Sequence, residues 1–245
     1  MTIRTLTKVN NSAPGASSVV TASLTPVDGM SYLVIMAAVR GASTDPGAMT
    51  VTGWSQTWTD DSANSGSLWT ASGTTRRRVS TAYCQVSGNP SAGSLTFSYT
   101  GQPDVLDYTV VELGYTSPRV VVPSSQVSSA TTHSSGTLVE LTAATPGSIN
   151  NRIIGFETGN LQNTTLRMEL DADTGGEADW YSENWNATGN SRARGHTVGW
   201  YNGNPNNDTT PGFYQSTGSM TSYRFILEVE MDAAALGVWG IPAMI

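Results

Sequence analysis

Hydrophobic and polar residues alternate with a period of two along most of the chain. At 19–24, Val19, Thr21 and Ser23 fall on one side and Val20, Ala22 and Leu24 on the other, and the run stops at Thr25-Pro26. Residues 32–39 are instead apolar throughout and are bounded by Asp28-Gly29 and Gly41. That length suits a strand better than a helix, and an unbroken apolar run predicts a strand covered on both faces. Further strands are predicted at 49–58, 77–86, 95–100 and 105–113, then at 137–143, 152–158, 165–170, 178–185, 194–201 and 223–231. Turn chemistry separates them: Asp45-Pro46-Gly47, Ser87-Gly88-Asn89-Pro90, Pro146-Gly147, Gly175-Gly176, Asn202-Gly203-Asn204-Pro205 and Pro211-Gly212. No segment carries a helical period.

The pattern occurs twice. Lys8-Val9-Asn10-Asn11-Ser12 aligns with Gln126-Val127-Ser128-Ser129-Ala130, and Ser18-Val19-Val20 with Gly136-Thr137-Leu138. Leu24-Thr25 aligns with Leu141-Thr142, and Leu33-Val34-Ile35 with Ile153-Ile154-Gly155. Gly88-Asn89-Pro90 recurs as Gly203-Asn204-Pro205, and Val110-Val111-Glu112-Leu113 as Ile226-Leu227-Glu228-Val229. The matches keep sequence order at offsets between 115 and 120, so only loop lengths drift. The expected fold is therefore all-β: two tandem antiparallel β-sandwich domains, jelly-roll-like, related by internal duplication. The first domain would occupy 1–117 and the second 118–232, with the join near Thr116-Ser117-Pro118 and the second copy's first strand and loop within 123–135. An apolar tail, 233–245, has no counterpart in the first copy and no charged side chain.

Composition fits strands. The 245 residues are 38% hydrophobic and only 13% charged, with 25 glycines, whereas amphipathic helices need charged wet faces. Trp and Tyr are spread along the whole chain, which argues against disorder. A net charge of −7 and a pI near 4.7 argue against a nucleic-acid binder that neutralises phosphates. Lys8 is the single lysine. Cys84, also single, permits no intrachain disulfide and reads as a small buried hydrophobe on a strand. The segment from Met1 to Lys8 lacks the apolar centre of a secretory signal, and no stretch approaches the ~20 apolar residues that cross a bilayer, so a soluble cytoplasmic product is expected.

Few residues suggest chemistry. There is no Gly-x-Ser-x-Gly elbow, phosphate-binding glycine loop or His-Glu-x-x-His, and His133 and His196 occupy non-equivalent places in the two copies. Glu112, its equivalent Glu228, Glu157 and Glu230 lie on strands, but Glu112 and Glu228 would sit in separate domains rather than flank one glycosidic bond. Asp171, Asp173, Glu177 and Asp179 surround a Gly-Gly turn and form a candidate calcium loop, without the bidentate Glu that closes such loops, so a solvated acidic hairpin competes with it. Trp54, Trp58 and Trp69 in one copy and Trp180, Trp185 and Trp200 in the other are candidate sugar-stacking or subunit-interface aromatics, against a role in the core. Arg76-Arg77-Arg78 is the one basic run, a guard against edge mispairing or a contact for an anionic surface. In the tail, Leu236, Val238, Trp239, Ile241 and Ile245 are candidate docking residues.

Strand-rich Gly/Ser/Thr sequence, scarce lysine and tandem sandwiches together resemble virion proteins of tailed bacteriophages: tail fibres, minor tail proteins and head decorations. The cadence of 49–58, Arg76 to Tyr83, Ser94 to Phe97 and Tyr108 to Glu112 carries that resemblance, which covers roughly 1–232. It implies a non-enzymatic structural protein of a phage particle, located in the virion and serving assembly, surface decoration or host attachment. It also implies a homo-oligomer, of trimeric or repeated-capsid kind, with other virion proteins as partners and no membrane insertion. No cofactor beyond calcium at the acidic hairpin is expected. The competing readings are a lectin-like module that contacts cell-surface glycans and a polysaccharide hydrolase.

Overall fold

The apolar run at 32–39 becomes the middle of a six-stranded sheet. The structure is a computed structural model that describes residues 4–11, 14–15, 17–40, 45–60, 68–72, 75–114, 119–121, 131–134, 137–140, 152–161, 168–171, 180–186, 194–201, 212–215 and 219–230. Every paired strand among them is antiparallel, and no helix occurs among the described residues.

The first half contains β1 (Arg4–Asn11), β2 (Ser18–Val20), β3 (Ser31–Arg40), β4 (Met49–Gly53), β5 (Thr59–Asp60), β6 (Leu68–Ser72), β7 (Thr75–Gln85), β8 (Leu95–Tyr99) and β9 (Val105–Gly114). The larger sheet has the order β1-β9-β3-β7-β5, with β6 also on β7, and the smaller has the order β2-β8-β4. Their inner faces share one core. Tyr32, Val34, Met36 and Ala38 of β3, Ala82 and Cys84 of β7, and Leu106, Tyr108 and Val110 of β9 meet Val19, Met49, Val51, Leu95, Phe97 and Tyr99 of the smaller sheet. Phe97 and Tyr108 make an edge contact at 4.7 Å between ring centroids, worth about 1 kcal/mol beyond their buried area. The smaller sheet keeps one wet face: Met49 and Val51 are buried while Thr50 and Thr52 are exposed.

The larger sheet has no wet face along its central strands. On the side away from the shared core, Leu33, Ile35, Ala37, Val79, Thr81, Asp107, Thr109, Val111 and Leu113 are all buried. All ten residues of β9 are buried. This explains the apolar run on β3, since alternation disappears when both faces are covered.

The second half contains β10 (Arg119–Val121), β11 (Thr131–Ser134), β12 (Thr137–Glu140), β13 (Arg152–Leu161), β14 (Met168–Asp171), β15 (Trp180–Asn186), β16 (Arg194–Tyr201), β17 (Gly212–Gln215) and β18 (Ser219–Glu230). One sheet has the order β10-β18-β13-β16-β15, with β11 also on β18, and the other has the order β12-β17-β14. Strand β9 runs close to β16, and β1 to β15. Ile154 on β13 is fully buried, as are the residues on the outer side of the first half's larger sheet.

One predicted strand is divided. Residues 49–58 continue as a strand only to Gly53, after which Trp54 and Ser55 take φ of 57° and 56° and the amide of Gln56 donates to the carbonyl of Gly53 at 3.2 Å. Two successive left-handed residues make a tight reversal that period-two patterning does not reveal. Gly53 itself, at φ 144°, lies so close to β8 that a Cβ would sit 2.7 Å from the carbonyl oxygen of Ser94. The chain then resumes as β5.

Candidate functional site

The described side chains concentrate chemistry at the two ends of the first sandwich-like half. At one end an aromatic ladder climbs from core to surface. Tyr32 is fully buried, and its ring meets Trp54 edge-on at 4.9 Å. Trp54 is 6% exposed and lies 5.8 Å from Trp58, which is half-buried. The indole of Trp54 donates to the carbonyl of Gly93 at 2.9 Å, and that of Trp58 to the carbonyl of Gly53 at 3.4 Å. Of the predicted platform residues, Trp54 is therefore enclosed by packing, and Trp58 is the rung that reaches solvent.

Polar groups fasten the loops around this ladder. Gln56 accepts from the amide of Ser87 at 3.1 Å and donates to the Ser87 carbonyl at 2.9 Å. Gly29 donates to the carbonyl of Val86 at 2.8 Å, and the amide of Val86 donates to Met30 at 2.8 Å. Asn89, another left-handed residue at φ 50°, donates its amide to Asp28 at 3.4 Å. Asp60, on the edge strand next to Trp58, has its carboxyl pushed up by partial burial.

Glu112, weighed from sequence as a catalytic carboxylate, is buried. The hydroxyl of Tyr32 donates to its Oε2 at 3.2 Å and accepts the amide of Val27 at 3.0 Å. Arg4 occupies the position directly opposite Glu112 on β1. A buried carboxylate with a hydroxyl donor in hand is arranged to hold strands together. Glu228 lies opposite Val121 and Ile153, Glu230 opposite Arg119, and Glu157 between Arg224 and Thr197.

The other end carries a charge pair. Arg78 donates its Nε to Asp45 Oδ1 at 2.9 Å and its Nη2 to Oδ2, while the amide of Gly47 donates to Oδ1 at 2.8 Å. The hydrogen bond from Arg78 is the main cause that holds the Asp45 carboxyl below its ordinary value, against the opposing effect of partial burial. Asp45 thus locks the turn before β4 onto β7.

Cys84 lies in the core, and burial pushes its thiol up to about 12, far from a reactive thiolate. Among the remaining predicted residues, Trp69 lies on β6 opposite Arg77, Trp180 opposite Tyr201, Trp200 between Tyr181 and Ile154, and Trp185 opposite His196. Asp171 ends β14 opposite Gly212. Asp173, Glu177 and Asp179 lie outside the described residues, as do the tail residues Leu236, Val238, Trp239, Ile241 and Ile245. Among the described residues, no group of three His, Cys, Asp or Glu side chains is placed to hold a metal ion. Searches against protein-family models, curated proteins and solved structures found no match for the chain.

Proposed function

We propose that this chain is a non-enzymatic structural protein of a bacteriophage particle, built from a duplicated jelly-roll unit and acting through its surfaces in assembly and in surface decoration or host attachment. The observation that carries the reading is the recurrence of strand order. The pairs β1–β9, β2–β8 and β3–β7 nest one inside the next across two sheets, an order that supports a jelly-roll reading. The pairs β11–β18, β12–β17 and β13–β16 nest in the same way, in the same order. Duplication of a rigid scaffold whose conspicuous carboxylate is engaged within the fold favours binding and assembly over a cleft that transforms a substrate. The phage assignment rests on the sequence resemblance alone.

Assembly would join sandwich edges and faces, with the uncharged segment 233–245 as a docking peptide. Size-exclusion chromatography with light scattering on the full chain and on a version ending at 232 tests this. The full chain is expected to form a defined oligomer and the shortened one to dissociate; a monomeric full chain removes the assembly role. A glycan-binding reading is favoured by Trp58, whose half-buried indole is flanked along the chain by the exposed Thr57 and Thr59. A glycan array on the full chain and on Trp58→Ala separates that reading from pure assembly.

A further inference from the structure

The outer face of the first half's larger sheet is covered across three strands at once. Leu33, Ile35 and Ala37 of β3, Val79 and Thr81 of β7, and Asp107, Thr109, Val111 and Leu113 of β9 are each at most 3% exposed. All of them lie on the side away from the shared core. Register sets them in rows: Thr81, Ile35 and Thr109 stand side by side, as do Val79, Ala37 and Asp107. With strands about 5 Å apart and a rise of about 3.4 Å per residue, the covered patch measures roughly 10 Å by 20 Å. One extended segment is a single strand wide. A second sheet, stacked about 10 Å away, covers such a patch whole.

The strands that come near this sheet belong to the larger sheet of the second half. Strand β1 approaches β15, and β9 approaches β16. Strands β1 and β9 are the first two from one edge of their sheet, and β15 and β16 the first two from one edge of theirs. The two orders therefore keep step, corner over corner, as in twisted sheets stacked face to face. We propose that the two halves dock through their larger sheets, with β10-β18-β13-β16-β15 seated on the outer face of β3, β7 and β9. Among the described strands none pairs with a strand of the other half, so backbone hydrogen bonds do not make this join. Side chains make it: Leu33, Ile35, Ala37, Val79, Val111 and Leu113 form a largely apolar seam, a surface that a separated half would expose to water. The smaller sheet then faces outward, in keeping with its exposed Thr50 and Thr52 and with Val20, which is 60% exposed. The inference needs neither the duplication nor the phage reading, and its failure leaves both standing.

A protease site inserted between Ser117 and Pro118 of the full chain lets the link be cut after folding. The cut chain is expected to elute in size-exclusion chromatography where the uncut one does, with both fragments in one peak. Val111→Asp, which places a carboxylate in the seam, should weaken association of the cut fragments by about tenfold or more. Thr52→Asp, on the exposed face of β4, should leave it unchanged. Protection of the Cys84 thiol reports that the first half's core is intact in each variant. Where Val111→Asp loses that protection, Val111→Ser is read in its place. Fragments that separate without any substitution, or a folded seam variant that holds together as tightly as the parent, overturn the proposal.

Discussion

The indole Nε1–H of Trp54 donates to the carbonyl oxygen of Gly93 at 2.9 Å, tying the reversal after β4 to the segment that leads into β8. The bond belongs to a strained turn, since Trp54 and Ser55 both stand in the left-handed region at a cost of about 1–2 kcal/mol each. Burial of the Trp54 ring against Tyr32 and Trp58 offsets that cost. Neighbouring substitutions should therefore act in opposite directions. Trp54→Ala is expected to lose about 3–5 kcal/mol, because a large ring leaves the core. Ser55→Gly is expected to gain up to about 1 kcal/mol, because Ser55 is exposed and glycine accepts its φ without strain. Urea denaturation of both variants, read with the slope held constant, checks the pair; a stabilised Trp54→Ala would show that the turn is not held by its ring.

Two aspartates should give opposite pH signatures. The Asp45 carboxyl is held below its ordinary value by the hydrogen bond from Arg78, so its stabilisation is present at neutral pH and is lost as pH falls below about 4 through the lowered value. Asp45→Asn should cost about 0.5–1 kcal/mol at pH 7, a modest figure because the pair is partly solvent-screened, and progressively less as pH falls through the lowered value. Burial pushes the Asp60 carboxyl up, so its ionised form opposes folding at neutral pH and that opposition fades as pH falls toward 4. Asp60→Asn should therefore be more stable than the unaltered chain at pH 7 and equal to it at acid pH. Thermal melts from pH 2 to 8 decide both, and parallel curves for either variant contradict the assignment.

Cys84 gives a reporter of global opening. With its side chain in the shared core and its thiol pushed up to about 12, it should not react with an aromatic disulfide reagent at pH 8 in the native protein. Reaction should appear only with unfolding, and its rate should rise along the denaturant curve that circular dichroism follows. Fast stoichiometric labelling without denaturant would mean that the inner faces of the two sheets separate in the native state.

What sequence alone could convey follows from the range of the forces involved. Residues 32–39 and 95–100 are legible because burial writes itself into the side chains of a strand, as alternation on β8 of the smaller sheet and as a continuous apolar run on β3 of the larger. The reversal at Trp54-Ser55 is not legible, because left-handed turns are usually signalled by glycine or asparagine and here tertiary packing of an indole imposes one. The β1 and β6 pairings escape for a related reason: their stability comes from the neighbouring strand, not from their own pattern. At the candidate sites, the Arg76-Arg77-Arg78 run is visible, but Arg40 joins it only through the register of β3 on β7. Likewise Trp54 and Trp58 look alike in sequence, and only the depth of the ladder separates the enclosed ring from the one at the surface.

At the contact between Tyr32 and Glu112, a structural carboxylate and a catalytic one predict different outcomes. The Tyr32 hydroxyl lies between the Val27 amide and Glu112 Oε2, so it both accepts and donates in a region closed to water. Tyr32→Phe removes that bridge while keeping the ring against Trp54, and should cost about 1–3 kcal/mol through the buried groups left short of a partner. Glu112→Gln keeps an acceptor for the hydroxyl and should cost less than Glu112→Ala, which leaves both the hydroxyl and the strand opposite without it. The two sites should be coupled by about 1 kcal/mol or more in a double-mutant cycle, as groups that share one buried hydrogen bond are. A general acid would behave differently: its glutamine variant would fold as well as the parent and abolish hydrolysis of a polysaccharide. Measuring stability and reducing-end release on the same set of variants separates the two roles. The expected result is a stability series with no hydrolysis by any member, the parent included.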